Sequence, residues 1–229
     1  MLEPIVHFKR LHKDAIMPKK AHDSDSGFDL YALEDTIIQP GETVVVKTGV
    51  AIGLPEGWDA SVRPRSGITS KSTLRVQFGT VDNSYKGDIG VIVDNAFPNP
   101  SYLGYAFNMM LNALVVSQSQ IADGAEGENG AEITSEKLDK ITENIETFVG
   151  MALYSPTIMD IAGNEVTLDG DTDEDDNYLN GTYIIKKGDK IAQLVVHPYY
   201  DGGYDEVDDL GDSDRGDNGF GSTGVRVNV

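Results

Sequence analysis

From Phe28 to Val93 the chain is written in short runs of Val, Ile and Thr broken by Gly, Pro or Asp: DLYAL, TIIQPGETVVVKTGVAIGLPEG, ASVRPRSG, STLRVQFGTVD and GDIGVIVD. β-Branched runs bounded by turn formers are strands joined by tight loops, and no long helical period competes with them here. The same grammar returns only at Gly181–Tyr199, as TYIIKKGDKIAQLVVHPYY. One β domain is therefore expected to be split in two by whatever lies between.

What lies between changes period. Leu103, Ala106, Phe107, Met110, Ala113 and Leu114 repeat at helical spacing, as do Leu138, Ile141, Ile145 and Phe148, with Gly150 where a helix C-cap belongs. TIMDIAGNEVTL (157–168) predicts a small hairpin turning at Ala162-Gly163-Asn164, and DGDTDEDDN after it a solvated loop. The domain expectation is a β core at 1–96, an acidic α+β insertion at 97–179, closing strands at 180–200 and a C-terminal arm at 201–229. That arm is rich in Gly and Asp, cannot build a core, and is expected to be mobile unless a ligand or partner holds it.

Charge follows the same division. The chain holds 38 acidic against 18 basic groups, a net −20, and residues 96–180 carry 16 of the acidic groups with only 2 Lys. General attraction to nucleic acid or anionic lipid rests on a basic surface, so neither is expected as a partner. There is no Cys, hence no thiolate nucleophile and no Cys-type zinc site, and four scattered His make no cluster. With no apolar block of membrane or secretory type, the expected location is cytoplasmic. The run Asp169–Asp176 resembles a calcium loop only superficially. With Asp171, Asp173 and Asp175 at loop positions 1, 3 and 5, Asp176 stands where a Gly is needed and Thr182 where a Glu is.

Two stretches have the makings of phosphate cradles. RPRSGITS, expected to be a turn, offers the donor fork of Arg65, the hydroxyl of Ser66 and the open backbone of Gly67. RGDNGFGSTG offers Arg215, Gly219, Gly221, Ser222, Thr223 and a single aromatic ring, Phe220. A flat base at one end of a ligand and phosphates at the other would suit that combination. Neither stretch is a P-loop or a dinucleotide fingerprint.

Taken in order, DSGFDLYA (25–32), PRSG (64–67), GTVDNSYKGDIGV (79–91), GDKIAQL (188–194) and RGDNGFGSTG (215–224) resemble the five motifs of the trimeric dUTPase family. The resemblance is to a phage-type member with an insertion between the third and fourth motifs. It implies a mainly β fold, the dUTPase-like β jelly roll or β-clip, with the small α+β insertion added, and hydrolysis of dUTP to dUMP and pyrophosphate with Mg2+.

The resemblance also implies roles. Asp82 would bind the sugar 3′-OH and act as general base, and Tyr85 would pack under the deoxyribose. Gly79, Val81 and Gly90 would form a backbone slot for uracil. Arg65 would serve catalysis, and Ser66, Gly67, Gln193, Arg215, Gly221, Ser222 and Thr223 would bind the nucleotide, with Phe220 stacking on the base. Asp29 would reach Mg2+ through a water. A homotrimer with shared active sites is implied, the arm crossing to a neighbour as a lid. Two alternatives stand beside this. One is a dCTP deaminase-like enzyme of the same fold, which would need a glutamate base that VDNSYKGDIG lacks; the other is a nucleotide-gated regulatory protein whose 97–179 segment meets a protein partner.

Overall fold

The computed structural model describes residues 5–99, 157–167, 178–200 and 202–213, with isolated positions between 102 and 155. The chain divides into two units, 1–199 and 200–229. The first is built on strands β1 (His7–Arg10), β2 (Gly27–Tyr31), β3 (Thr36–Ile38), β4 (Thr43–Val46), β5 (Val50–Gly53), β6 (Trp58–Arg63), β7 (Leu74–Val76), β8 (Gly79–Val81) and β9 (Val91–Asn95). After the interval come β10 (Tyr154–Ser155), β11 (Ile158–Asp160), β12 (Glu165–Val166), β13 (Tyr178–Leu179), β14 (Tyr183–Ile185) and β15 (Lys190–Pro198).

Three sheets carry the body of this unit, ordered β2-β15-β6-β8, β4-β9-β7 and β12-β11-β14-β3. Strand β9 shows the physical logic: Val91 and Val93 are buried while Ile92 between them faces out, the alternation a pleated strand imposes. Leu30, Ile38, Val46, Ile52, Leu74, Ile89, Ile191 and Leu194 close over the same core. Each such side chain contributes about 1.5–3 kcal/mol by leaving water. Because β15 lies between β2 and β6, the closing strand of the chain completes a sheet begun long before it, as the split grammar predicts.

One expectation needs correcting. The PRSG stretch, expected to be a turn, opens a short helix, α1 (Ser66–Lys71), with Arg65 as its extended N-cap residue. At six residues and with only Ile68 buried, α1 is too short to write a period into the sequence.

The expected hairpin is present within the described residues 157–167, with Ile158 opposite Val166 and Gly163 at φ +80° in its turn. It also joins the body: Met159 and Asp160 of β11 pair in parallel with Tyr183 and Ile184 of β14. A Cβ on Gly163 would stand 2.6 Å from the carbonyl oxygen of Lys71, so the hairpin tip abuts the end of α1. Of the two helices expected at 103–114 and 138–148, Tyr105, Met109, Asn112, Lys140 and Glu143 are described. All five are helical and exposed, interleaving with the apolar positions as an outer face should. The apolar positions themselves lie outside the described residues, as does the acidic run 169–176.

The segment that leaves β9 and the segment that enters β14 meet at one point. Asn95 is 1% exposed, and its amide nitrogen donates to Ile38 O (3.1 Å) and Gly181 O (2.8 Å). Its Oδ1 accepts from Thr73 Oγ1 (2.9 Å) and from the Phe97 amide (3.0 Å). The Phe97 ring sits where a side chain on Gly181 would be. A buried amide with both ends satisfied thus ties the outgoing segment to the incoming one.

Candidate active site

The ladder β2-β15-β6 puts the second, first and fourth motifs together. Gln193 on β15 lies directly opposite Asp29 on β2 and Arg63 on β6. Two residues beyond β6, Arg65 turns back and pairs with Asp29 Oδ1. Lys190 Nζ lies 2.8 Å from the other carboxylate oxygen, Oδ2. The Asp29 side chain is 3% exposed, and the two cations that cover it are 26% (Arg65) and 41% (Lys190) exposed. The hydrogen bond to Asp29, reinforced by its charge, pushes the Lys190 ammonium above the ordinary lysine value. Ser66 is exposed, and nothing stands within 4 Å of where a side chain on Gly67 would begin, so this backbone is open to a ligand.

The third motif forms the other half. The β7–β9 ladder runs from Leu74 opposite Asn95 to the Gln77 amide donating to Ile92 O (2.9 Å). Two residues further the arms reach Gly79 and Gly90, and there they part. Strand β8 swings onto β6, with Gly79 opposite Val62 and Val81 opposite Ala60, while the Ile89 amide donates to Val50 O (2.9 Å). Asp88 drives the parting: its Oδ1 accepts from Thr48 Oγ1 (3.1 Å) and from the amides of Gly49 (2.8 Å) and Val50 (3.2 Å). The result is a fork whose inner β8 edge has no strand partner among the described residues. Gly90 is required there, because a Cβ would come within 2.7 Å of Val45 Cγ1. At Gly79 the nearest atom to such a Cβ is 3.9 Å away, which leaves the fork open.

Past the fork, Asp82 is exposed at the start of a turn closed by the Tyr85 amide on Asp82 O (3.0 Å). Tyr85 is 46% exposed, its hydroxyl donates to Asp88 O (2.8 Å), and its ring lies over Gly87. Asn83 anchors the turn: its side-chain nitrogen reaches the carbonyl oxygens of Leu54 (3.2 Å), Pro55 (2.6 Å) and Trp58 (3.0 Å).

Within one chain the two halves do not meet. Strand β8 runs antiparallel to β6, so Asp82 lies toward the Trp58 end and Arg65 beyond the Arg63 end. Four residues of extended strand, from Asp59 to Arg63, separate the level of Asp82 from that of Asp29, where Arg65 turns back, about 13 Å at roughly 3.3 Å per residue. Arg215, Phe220, Gly221, Ser222 and Thr223 lie outside the described residues. Lys190, Asn83 and Asp88 were not singled out in the sequence. Lys190 lay inside the GDKIAQL stretch, where a charged residue before a buried Ile was the available signal.

Among the described residues no group of three His, Asp or Glu side chains is arranged to hold a cation, and Asp29 already faces two positive groups. The donor set fits Mg2+ as an ion carried by phosphates. It does not fit a caged structural ion. No helix among the described residues is long and apolar enough to cross a membrane.

Comparison with known proteins adds to this geometry. The dUTPase family model matches residues 13–100 and 177–224. A deoxyuridine 5′-triphosphate nucleotidohydrolase of Clostridioides difficile is 30% identical over 218 residues, covering 94% of this chain and 95% of the relative. Among solved structures, the Staphylococcus bacteriophage 80alpha dUTPase with dUpNHpp aligns with a TM-score of 0.69 at 26% identity, over 96% of this chain and 99% of that one. A dUTPase variant from phage phi11 of S. aureus, described with a structural Mg(II) ion, aligns with a TM-score of 0.61 at 24% identity, over 90% of this chain and 98% of that one. The sheets described above are those of a β jelly roll of this type.

Proposed function

The chain belongs to the dUTPase family, and from that premise we propose that it hydrolyses dUTP to dUMP and pyrophosphate, using the fork at Gly79 and Gly90 for the base and the Asp29–Arg65–Gln193 cluster for the phosphates. Uracil enters the fork and pairs with the free edge of β8, including Val81, as a neighbouring strand would. Cytosine places a donor where uracil has an acceptor, leaving a buried group unpaired at a cost of about 1–3 kcal/mol. The thymine methyl overfills the slot at a similar cost. Tyr85 packs against the deoxyribose and leaves no room for a 2′-OH.

Asp82 accepts the 3′-OH and takes the proton of a water that attacks the α-phosphorus. The bond to the α,β-bridging oxygen breaks and pyrophosphate leaves. General base catalysis of this kind is worth about 10²–10⁴-fold. Arg65, Ser66, Gly67 and Gln193 bind phosphate oxygens, and Arg215, Gly221, Ser222 and Thr223 add donors from the arm while Phe220 covers the base. Asp29 would hold Mg2+ through a water, and the ion, when bound with the triphosphate, would supply charge neutralisation at the phosphates.

The observation that carries this assignment is the direction of β8. From Gly79 to Asp82 it runs away from the chain's own Arg65, so a nucleotide seated in the fork sends its phosphates toward a different copy. A homotrimer in which one subunit gives the fork and another gives Arg65 completes the site, in keeping with closed cyclic assembly. The dUTPase match displaces the deaminase alternative.

The test is pyrophosphate release from dUTP, dCTP, dTTP and UTP, with ammonia measured in parallel. Release confined to dUTP supports the function; ammonia from dCTP, or equal turnover of UTP, refutes it. Arg65→Ala and Asp82→Asn chains, refolded as a mixture, should regain about a quarter of normal turnover, because one chain supplies what the other lacks. No recovery would mean that each chain builds its own site.

A further inference from the structure

Asp29 is a buried carboxylate with one cation on each oxygen, Arg65 on Oδ1 and Lys190 on Oδ2. If Arg65 turns to phosphates, Asp29 loses one of the two. We infer that Lys190 is a positioning residue for the hydrolysis proposed above, on which this inference rests: it keeps the buried Asp29 carboxylate neutralised as Arg65 swings from it to the incoming phosphates.

The backbone supports this independently of the ion pair. Along the β2–β15 ladder Gln193 faces Asp29 and Ala192 faces Leu30, but Lys190, not Ile191, faces Tyr31. The ladder thus slips by one residue between Lys190 and Ala192. Side chains alternate along a strand, so without the slip Lys190 would point to the face opposite Asp29. The extra residue brings it round to the face that holds Asp29 and Gln193, and sheet irregularities of this kind re-aim side chains at functional positions. Each cation holds its own oxygen, so either can depart without displacing the other. Removing one partner of a buried pair leaves an uncompensated charge, the situation Lys190 prevents.

The experiment measures dUpNHpp affinity, with Mg2+, for Lys190→Met and Lys190→Arg in the full chain and again in an Asp29→Asn background. Lys190→Met is expected to bind about 10- to 100-fold more weakly, and Lys190→Arg to restore most of that loss. In the Asp29→Asn background there is no buried charge to neutralise, so Lys190→Met should add little. A purely structural lysine would lower Tm and weaken binding equally in both backgrounds, which would overturn the inference. So would unchanged affinity in Lys190→Met. Should Lys190→Met not fold, Lys190→Gln carries the comparison, since it removes the charge and keeps a hydrogen-bond donor. If the unaltered chain neither binds dUpNHpp nor hydrolyses dUTP, the parent function falls with this role; normal hydrolysis with an indifferent Lys190 variant removes this role alone.

Discussion

Around Asp29 the charges are paired in advance, two cations on one buried carboxylate in a sheet ladder, whereas Asp82 stands exposed on a turn shaped by hydrogen bonds from its neighbours. The first region is pre-organised by electrostatics and can respond to an arriving anion by exchanging partners. The second is pre-organised through a neighbour: Asn83, next to Asp82, is held by hydrogen bonds to Leu54, Pro55 and Trp58, and whatever fixes Asn83 fixes Asp82. The difference teaches that losses at the two ends should look unlike in kinetics even where they are similar in size.

Substitutions can break or sharpen that contrast. Arg65→Ala is expected to cost the most, about 10²–10³-fold in kcat/KM, with nucleotide affinity falling as well because a phosphate donor is gone. Asp82→Asn should lower kcat by about 10²-fold while dUpNHpp still binds, since the amide keeps a contact to the sugar and loses only the proton acceptor. Equal damage to affinity in both variants, by calorimetry, would erase the distinction. Asn83→Ala comes next: the turn loses its hold on Leu54, Pro55 and Trp58, so kcat should drop about tenfold with stability down by about 1 kcal/mol. Full turnover in that variant would mean the turn holds its shape without the anchor.

The smallest effect lies away from both ends. Burial opposes ionisation of Asp160, but hydrogen bonds from the Asn164 side chain and from the amides of Asn164, Ala162 and Gly163 outweigh it and hold this carboxyl below the ordinary value of 3.8. A depressed folded value contributes stability that is complete above the unfolded value and is lost as pH falls through the folded one. Only half-buried and open to screening by solvent, it is expected to contribute no more than about 1 kcal/mol. Asp160→Asn should therefore flatten the acid limb of a urea-midpoint profile slightly and leave dUTP turnover untouched.

Much of this was legible from residues alone because strands and tight turns write local signals. The β segments, the late return at Gly181–Tyr199 and the hairpin turning near Gly163 all follow from β-branched runs and turn formers. The pairing of Asp29 with Gln193 could not be read that way, since register between strands so far apart in sequence depends on the whole sheet. Helix α1 escaped because six residues hold too little periodicity. Lys190 escaped for a sharper reason: strict alternation assigns it to the wrong face, and only the slip in the β2–β15 ladder reverses that. Asp82 and Tyr85 were found through resemblance to a family, whereas Arg65 already stood out as the donor fork of a phosphate cradle. Their placement at opposite ends of one ladder was visible only in three dimensions.

The buried Asn95 clasp has a consequence beyond stability. A detour whose two feet are bolted together at the base can be lengthened, shortened or traded for foreign cargo while the remaining framework keeps its geometry. For this chain the part open to such refitting is the stretch before Ile158, because β11 and β12 pair into the body sheet beside β14: an engineer can plug a reporter in there while Asn95 still joins Phe97 to Gly181.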